Sequence, residues 1–169
     1  FNVHTRVLTL PNWQNASARV YDLLVGHEVG HALYTPDIDW RTERNIPPQF
    51  VNVAEDVRIE KMMKRRYPGL SKSFWGGYRE LSEEDFFQIK DEDLTLLNLA
   101  DKINLFYKIG QFVDVPFEND VEKDLVKRSG LTETFEQVLD IAEEIYKYCL
   151  DKKEKESKIN FDNHGTQGA

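Results

Sequence analysis

Two histidines and a glutamate in one short segment have the residue types and spacing of a metal-dependent hydrolase. His27 and His31 are four positions apart, and Glu28 directly follows the first of them. Residues four apart lie on the same side of a helix, so both imidazoles can bind one ion. Glu28 lies about 100° around the helix, where its carboxylate can reach a water molecule in the fourth position of the ion. The pattern His-Glu-x-x-His therefore predicts a zinc site that activates water.

A helix over residues 15–34 is expected to present these side chains. Asn15 or Ser17 is the predicted N-terminal cap, and Pro36 marks the end of the helix. The imidazoles continue the apolar face that precedes them, which is formed by Val20, Leu23 and Leu24. We therefore expect both rings to point into a core or a cleft.

Gly30 is the least favourable residue for this helix. Glycine in the middle of a helix costs about 1 kcal/mol relative to alanine. Its position between the two turns that carry the histidines indicates that another group approaches the helix backbone closely there.

A second helix, over residues 49–66, is expected to supply the third ligand. Its apolar positions follow helical spacing, at Phe50, Val53, Ala54, Val57 and Met62. Glu55 falls on this apolar side, where a carboxylate is costly to bury unless it is paired, protonated or bound to a cation. A zinc ion held by two neutral imidazoles is such a cation, so Glu55 is the predicted third ligand.

Other roles for the acidic residues of this helix stay open. Asp56 and Asn52 are alternative third ligands, or acceptors for the outward N–H groups of the two histidines, which fix the orientation of each ring. Glu55 has an alternative in a salt bridge to Arg58 or to the basic residues at 61–66.

The two segments together resemble a known enzyme family. His27-Glu28-x-x-His31, followed by Asn-Val-Ala-Glu-Asp-Val-Arg-Ile-Glu at 52–60, is similar to the gluzincin group of zinc metallopeptidases. More narrowly, it resembles the metallopeptidase modules of tailed phages and the peptidase-like part of proteins that pair with a von Willebrand type A domain. The resemblance covers residues 25–80.

The resemblance implies a zincin-like fold that binds Zn²⁺ through His27, His31 and Glu55, with Glu28 as the catalytic carboxylate. The chain departs from better-known gluzincins at Ile59, where an orienting carboxylate is often found. The expected reaction is hydrolysis of a peptide bond. Zinc polarises the carbonyl, and Glu28 takes a proton from water and passes it to the departing amine.

An additional donor is needed for the oxyanion of that reaction. Tyr34, one turn beyond the second histidine, is the predicted catalytic candidate for this role. Arg58, Tyr78 and His4 are the alternatives.

The remaining sequence predicts an α+β fold that is mostly α. Alternation over residues 1–10 predicts a small N-terminal β element, stopped by Pro11. Residues 67–81, rich in Gly, Ser and aromatic residues, are expected to form a loop that lines the cleft. A C-terminal helical lobe follows, with helices over residues 93–109 and 118–128 and a long helix capped by Thr132. The predicted domain spans 1–156, with a metal-site lobe at 1–81 and a helical lobe at 82–156, before a flexible tail or linker at 157–169.

Composition narrows the class of protein. The 169 residues carry a net charge of −8, which argues against a nucleic-acid partner. Cys149 is the single cysteine, so no intrachain disulfide forms and a reducing compartment is expected. No apolar run approaches the ~20 residues of a membrane span. We expect a cytoplasmic enzyme, in the host cytoplasm if phage-encoded, that acts on a peptide or protein and has a possible neighbouring domain.

Two other functions fit the same motif. One is a non-catalytic scaffold, in which zinc holds two helices together and the later helices bind a partner. Glu28 argues against it, since structural zinc needs no base beside its ligands. The other is a zinc hydrolase of a different amide or ester, because the ligand set does not determine the acyl substrate.

Overall fold

The computed structural model describes residues 1–13 and 16–166, with side chains through Lys158. These residues are mostly helical, which confirms the mostly-α expectation, and no β-strand occurs among them. The six α-helices are α1 (Ala18–Tyr34), α2 (Pro48–Arg66), α3 (Leu70–Glu83), α4 (Leu99–Ile109), α5 (Asp120–Ser129) and α6 (Phe135–Thr166).

Helix α1 begins and ends as its sequence predicts. The Ser17 side chain accepts a hydrogen bond from the backbone N–H of Val20, which caps the N-terminus. Thr35 follows the last turn and donates its backbone N–H to the carbonyl of His31. Asn15, the alternative cap, lies outside the described residues.

Helix α2 also confirms the sequence prediction. Pro48 occupies its first turn, where the missing N–H of proline breaks no helical hydrogen bond. Its last turn carries Lys64, Arg65 and Arg66, whose positive charges interact favourably with the C-terminal end of the helix dipole.

The prediction of a loop over residues 67–81 is wrong, because α3 occupies most of this stretch. The helix buries Phe74, Tyr78 and Leu81, which follow one another at spacings of four and three residues. Gly77 has no side chain that could contribute to an apolar period, so the helix is not evident from the sequence. A Cβ there would lie 2.9 Å from Cβ of Leu23, so the glycine lets α1 and α3 approach closely.

The predicted N-terminal β element is also wrong. Residues 1–7 form a turn closed by a single antiparallel bridge between Asn2 and Val7. The side chain of Asn2 accepts the backbone N–H groups of His4 and Thr5, so it stabilises a turn instead of an extended strand. No neighbouring strand within residues 1–13 and 16–166 is present to pair with this segment.

Two hydrophobic clusters form the core, and α2 and α4 contribute to both. The larger cluster joins α2, α4, α5 and α6 around Ala54, Ile103, Val138 and Ala142. The smaller joins α1 and α3 to Met63 of α2 and to Leu105 and Ile109 of α4. Helix α2 is therefore held from both sides, which fixes the acidic residues along its length.

Close packing of α1 on α2 explains Gly30. A Cβ at this position would lie 2.9 Å from Cδ1 of Ile59 and 3.0 Å from Cγ of Met63. The sequence prediction of a close approach at this glycine is confirmed. Because the approach occurs one residue before His31, it brings the turn of α1 that carries the two histidines directly against α2.

The C-terminal helices match the sequence pattern with shifted boundaries. The hydroxyl of Thr134, and not that of Thr132, accepts an N–H at the start of α6, from Gln137. Helix α6 continues through Thr166, within the stretch predicted as a tail, and residues 167–169 lie outside the description. No described helix has the length and apolar character that crossing a membrane requires.

Candidate metal centre

Three ligand atoms from α1 and α2 converge on one point. Nε2 of His27 and Nε2 of His31 are 3.2 Å apart. Oδ1 of Asp56 lies 3.3 Å from the first nitrogen and 3.0 Å from the second. These side chains form the one group of three potential metal ligands among the residues that the structure describes.

The spacing of this triad fits a zinc ion. Tetrahedral ligands at about 2.0–2.2 Å from zinc are separated from one another by about 3.3–3.6 Å. The observed separations of 3.0–3.3 Å lie at the short end of this range or just below it. Two imidazole nitrogens and a carboxylate oxygen are also a donor set typical of catalytic zinc, which leaves the fourth position for water.

Asp56 is held by a lysine as well as by the histidines. Its second oxygen, Oδ2, lies 3.1 Å from Nζ of Lys108 on α4. Burial raises the pKa of the Asp56 carboxyl, but hydrogen bonds to both histidines and the charge of Lys108 outweigh it and hold the pKa well below its usual range. Asp56 is therefore ionised and presents Oδ1 to the two histidines.

His27 is oriented from behind by a buried carboxylate. Its Nδ1 lies 3.2 Å from Oε1 of Glu60, which also accepts a hydrogen bond from the hydroxyl of Tyr78. Burial lowers the pKa of His27, yet its hydrogen bonds to Asp56 and Glu60 and their charges raise it to about 10 in the metal-free protein. A divalent cation would replace this proton between the same oxygen and nitrogen atoms.

His31 has a different support. Its Nδ1 lies 2.9 Å from the hydroxyl oxygen of Thr35, and that hydroxyl lies 2.8 Å from Oε2 of Glu55. Both oxygens of Glu55 are bound by Arg58, at 2.6 Å to Nε and 2.8 Å to Nη2. The outward nitrogen of His31 is thus connected through Thr35 to a buried ion pair.

The structure separates Glu55 from the ligand triad. Glu55 is buried on α2, as its sequence position predicts, with 2% of its surface exposed. Its carboxylate contacts Arg58 and Thr35, which corresponds to the salt-bridge alternative. Asp56, the alternative third ligand, occupies the place beside His27 and His31.

Other predicted residues lie at the edge of the centre or away from it. The side chain of Tyr34 packs against the α1–α3 core, and its carbonyl accepts a hydrogen bond from Arg58. Tyr78 donates to Glu60, while His4 lies on the surface, with Nδ1 3.1 Å from Oδ2 of Asp37. Neither Asn52 nor Asp56 is the acceptor for the outward nitrogens, which face Glu60 and Thr35.

A cleft of about 550 Å³ opens beside the triad. Its polar lining includes Glu28, His31, Asn52 and Asp56, and its apolar lining includes Ile38, Trp40, Val51 and Phe135. The carboxylate of Glu28 contacts the amino group of Phe1 in this cleft. The structure therefore brings the predicted base and two of the three converging ligands to one solvent-accessible cavity.

Sequence reasoning missed three residues of the centre. Glu60 follows Asp56 by four positions, so a search for an orienting carboxylate one turn after Asp56 would have found it. Thr35 directly precedes Pro36 at the predicted end of the helix, and no role in the centre is predicted for it from the sequence. Lys108 comes from a helix 52 positions away, and no local sequence signal connects it to Asp56.

Comparisons of this chain with protein-family models, curated proteins and solved structures find no match. The resemblance to gluzincins rests on residues 25–80 of the sequence.

Proposed function

We propose that this chain is a zinc-dependent metallopeptidase. Its ion is bound by His27, His31 and Asp56, and Glu28 is its general base. The observation that carries the proposal is the convergence of two imidazole nitrogens and one carboxylate oxygen within 3.0–3.3 Å of one another. The presence of Glu28 in the adjoining cleft favours a catalytic over a purely structural ion.

The proposal modifies the gluzincin pattern by one residue. With Asp56 in place of Glu55 as third ligand, Glu60 stands four residues later and contacts His27. This restores the orienting carboxylate that Ile59 does not supply. A zincin-like arrangement is proposed for α1 and α2 alone, since these two helices carry the motif and the third ligand.

The residues of the cleft have separate roles in the proposed hydrolysis. Zinc, when bound, polarises the substrate carbonyl and lowers the pKa of water toward about 7. Glu28 takes the proton of the attacking water and delivers it to the departing amine. Asn52 and Arg41 line the cleft with N–H donors, so they replace Tyr34 as candidates for stabilising the oxyanion.

The substrate class follows from the cleft. Its apolar lining around Trp40 and Phe135 can bury a side chain of a peptide or protein, while Asn52 contacts the polar backbone. A neighbouring domain that covers or completes the cleft is part of the proposal, as are a cytoplasmic location and the lack of a nucleic-acid partner.

Metal content combined with Glu28→Gln tests the proposal. We expect about one zinc per chain in the wild type and in the variant, and a peptide-library cleavage rate that falls at least about 100-fold in Glu28→Gln. Glu154→Gln, an exposed change on α6, is the matched control and should retain full activity. Chains that bind no zinc, or equal cleavage by Glu28→Gln, would refute the assignment.

A melt in the presence of chelator and an assay on small amides and esters, added to this experiment, distinguish the two other functions. A scaffold would lose thermal stability on chelation and would hydrolyse neither peptides nor small amides. A hydrolase of another amide or ester would act on small substrates, lose that activity in Glu28→Gln, and leave the peptide library intact.

A further inference from the structure

Thr35 makes two hydrogen bonds to the same histidine. Its backbone N–H donates to the carbonyl of His31 at 3.0 Å, and its hydroxyl oxygen lies 2.9 Å from Nδ1 of that residue. The hydroxyl also lies 2.8 Å from Oε2 of Glu55. Thr35 thus lies between His31 and Glu55, a carboxylate that is not one of the three converging side chains.

The direction of these hydrogen bonds follows from counting protons. Glu55 receives two hydrogen bonds from the guanidinium of Arg58, so its carboxylate is ionised and can only accept. The single proton of the Thr35 hydroxyl therefore points to Glu55. Toward His31 the hydroxyl presents a lone pair, and Nδ1 of the imidazole must carry the proton that this lone pair accepts.

This tautomer is the one that a metal requires. With its Nδ1 proton held by Thr35, His31 can offer the lone pair of Nε2 to an ion, which would displace the proton that Nε2 donates to Asp56 in the metal-free protein. A reversed hydroxyl would favour the opposite tautomer and place a proton where the ion binds. The Arg58–Glu55 pair excludes that orientation, because a guanidinium-bound carboxylate offers no proton to Thr35.

We propose that Thr35 is a positioning residue that sets the tautomer and orientation of His31, and that the buried Arg58–Glu55 pair fixes the direction of its hydroxyl. The consequence for metal affinity rests on the proposed zinc site. The hydrogen bond from Nδ1 of His31 to the Thr35 hydroxyl does not depend on it. His27 achieves the same result by a shorter route, because its Nδ1 contacts Glu60 directly.

The assignment gives Glu55 a function other than metal binding. Arg58 and Glu55 are both almost fully buried, at 4% and 2% exposure, and lie three residues apart on α2. Such a pair is weak evidence for stability by itself, since desolvation offsets much of its attraction. Its contact with the hydroxyl beside His31 explains why two charges are placed next to the centre.

Thr35→Val tests the proposal, since valine has nearly the shape of threonine but no hydroxyl. Zinc affinity, measured by competition with a chromophoric chelator, should fall about 10- to 100-fold, the usual effect of losing a partner of a liganding histidine. Thr35→Ser keeps the hydroxyl and should stay within about threefold of the wild type. Thr42→Val removes an exposed hydroxyl elsewhere and is the control for the substitution type.

A second readout uses the metal-free protein. Nitrogen-15 NMR of the histidines should show a proton on Nδ1 of His31 in the wild type and in Thr35→Ser. In Thr35→Val the Nδ1 proton loses its acceptor, so Nδ1 should be unprotonated while Nε2 keeps the proton that faces Asp56. Thr35→Ala removes the same hydroxyl with less bulk and provides the measurement if the valine variant does not fold.

Unchanged zinc affinity in both hydroxyl-free variants, or an Nδ1 proton retained in both, would overturn the proposal. A chain that binds no zinc would refute the proposed peptidase, but the tautomer comparison would still decide the role of Thr35. Failure of the two proposals is therefore distinguishable.

Discussion

Exchanging the acidic residues at 55 and 56 separately tests the ligand assignment. Asp56→Asn removes a charge whose Oδ1 lies 3.0 and 3.3 Å from the two imidazole nitrogens. Glu55→Gln removes a charge that contacts Arg58 and Thr35 instead. The two adjacent substitutions are of the same chemical type, so each is the matched control of the other.

The expected loss of zinc affinity differs between them. Structural zinc sites with four ligands bind with about 10–16 kcal/mol, or roughly 3 kcal/mol per ligand. Loss of that amount in Asp56→Asn corresponds to a decrease in affinity of about 100-fold or more. Glu55→Gln acts on the ion only through Thr35 and His31, so its effect should be about 10-fold.

Both substitutions should also lower the stability of the metal-free protein. Glu55→Gln leaves the buried guanidinium of Arg58 without its anion, which costs about 3–5 kcal/mol. The lower end of this energy range applies, because Arg58 also donates to the carbonyls of Tyr34 and Glu133. About 3 kcal/mol corresponds to a decrease in Tm of roughly 6–12 °C for a chain of this size. Asp56→Asn removes the charged acceptor of both histidines and the partner of Lys108, so in the metal-free protein it should cost about 1–3 kcal/mol.

Chelator competition gives the affinities, and circular dichroism melts in excess EDTA give the stabilities of the metal-free proteins. Asp151→Asn, an exposed change on α6, serves as the neutral reference. If zinc affinity falls further in Glu55→Gln than in Asp56→Asn, at a temperature where both variants are folded, the ligand assignment is refuted.

Two further predictions concern the support of the centre and its acid stability. Gly30→Ala should destabilise the protein by about 1 kcal/mol in urea titrations. Overpacking against Ile59 costs about 1–3 kcal/mol, and the higher helix propensity of alanine offsets at most about 1 kcal/mol of this cost. Unchanged or higher stability would contradict the close packing of α1 on α2. Hydrogen bonding to Arg65 and the charge of Lys61 lower the pKa of Glu133 to about 2, so its contribution to stability is present above pH 4.5 and disappears as pH falls toward 2. Glu133→Gln should lack this contribution, and a stability difference from wild type that persists unchanged down to pH 2 would contradict it.

Much of the helical fold could be predicted because its apolar residues follow a clear period. Helices α1 and α2 begin and end within a few residues of their predicted bounds. The period fails in α3, where glycines replace side chains on the face that packs against α1. The N-terminal segment failed for a different reason, since alternation alone does not reveal that Asn2 bonds two nearby N–H groups.

The converging side chains differ from the predicted ligand set at one residue, Asp56 in place of Glu55, because the period of α2 fixes which side is buried but not which neighbour each buried acid meets. Positions 55 and 56 differ by about 100° around the helix, and both turn inward. Arg58, three residues after Glu55, gives that carboxylate a partner on its own helix.

A second spacing decides between the two acids. His27 and His31 occupy successive turns of α1, and Asp56 and Glu60 occupy successive turns of α2. Because the helices pack closely at Gly30, the two pairs face each other, and His27 contacts both acids of the opposite pair. Two acids four residues apart can divide two roles, one acid binding the ion and the other orienting a histidine. Glu55 has Ile59 at that position, so the matching spacing of the two helices favours Asp56 as the ligand.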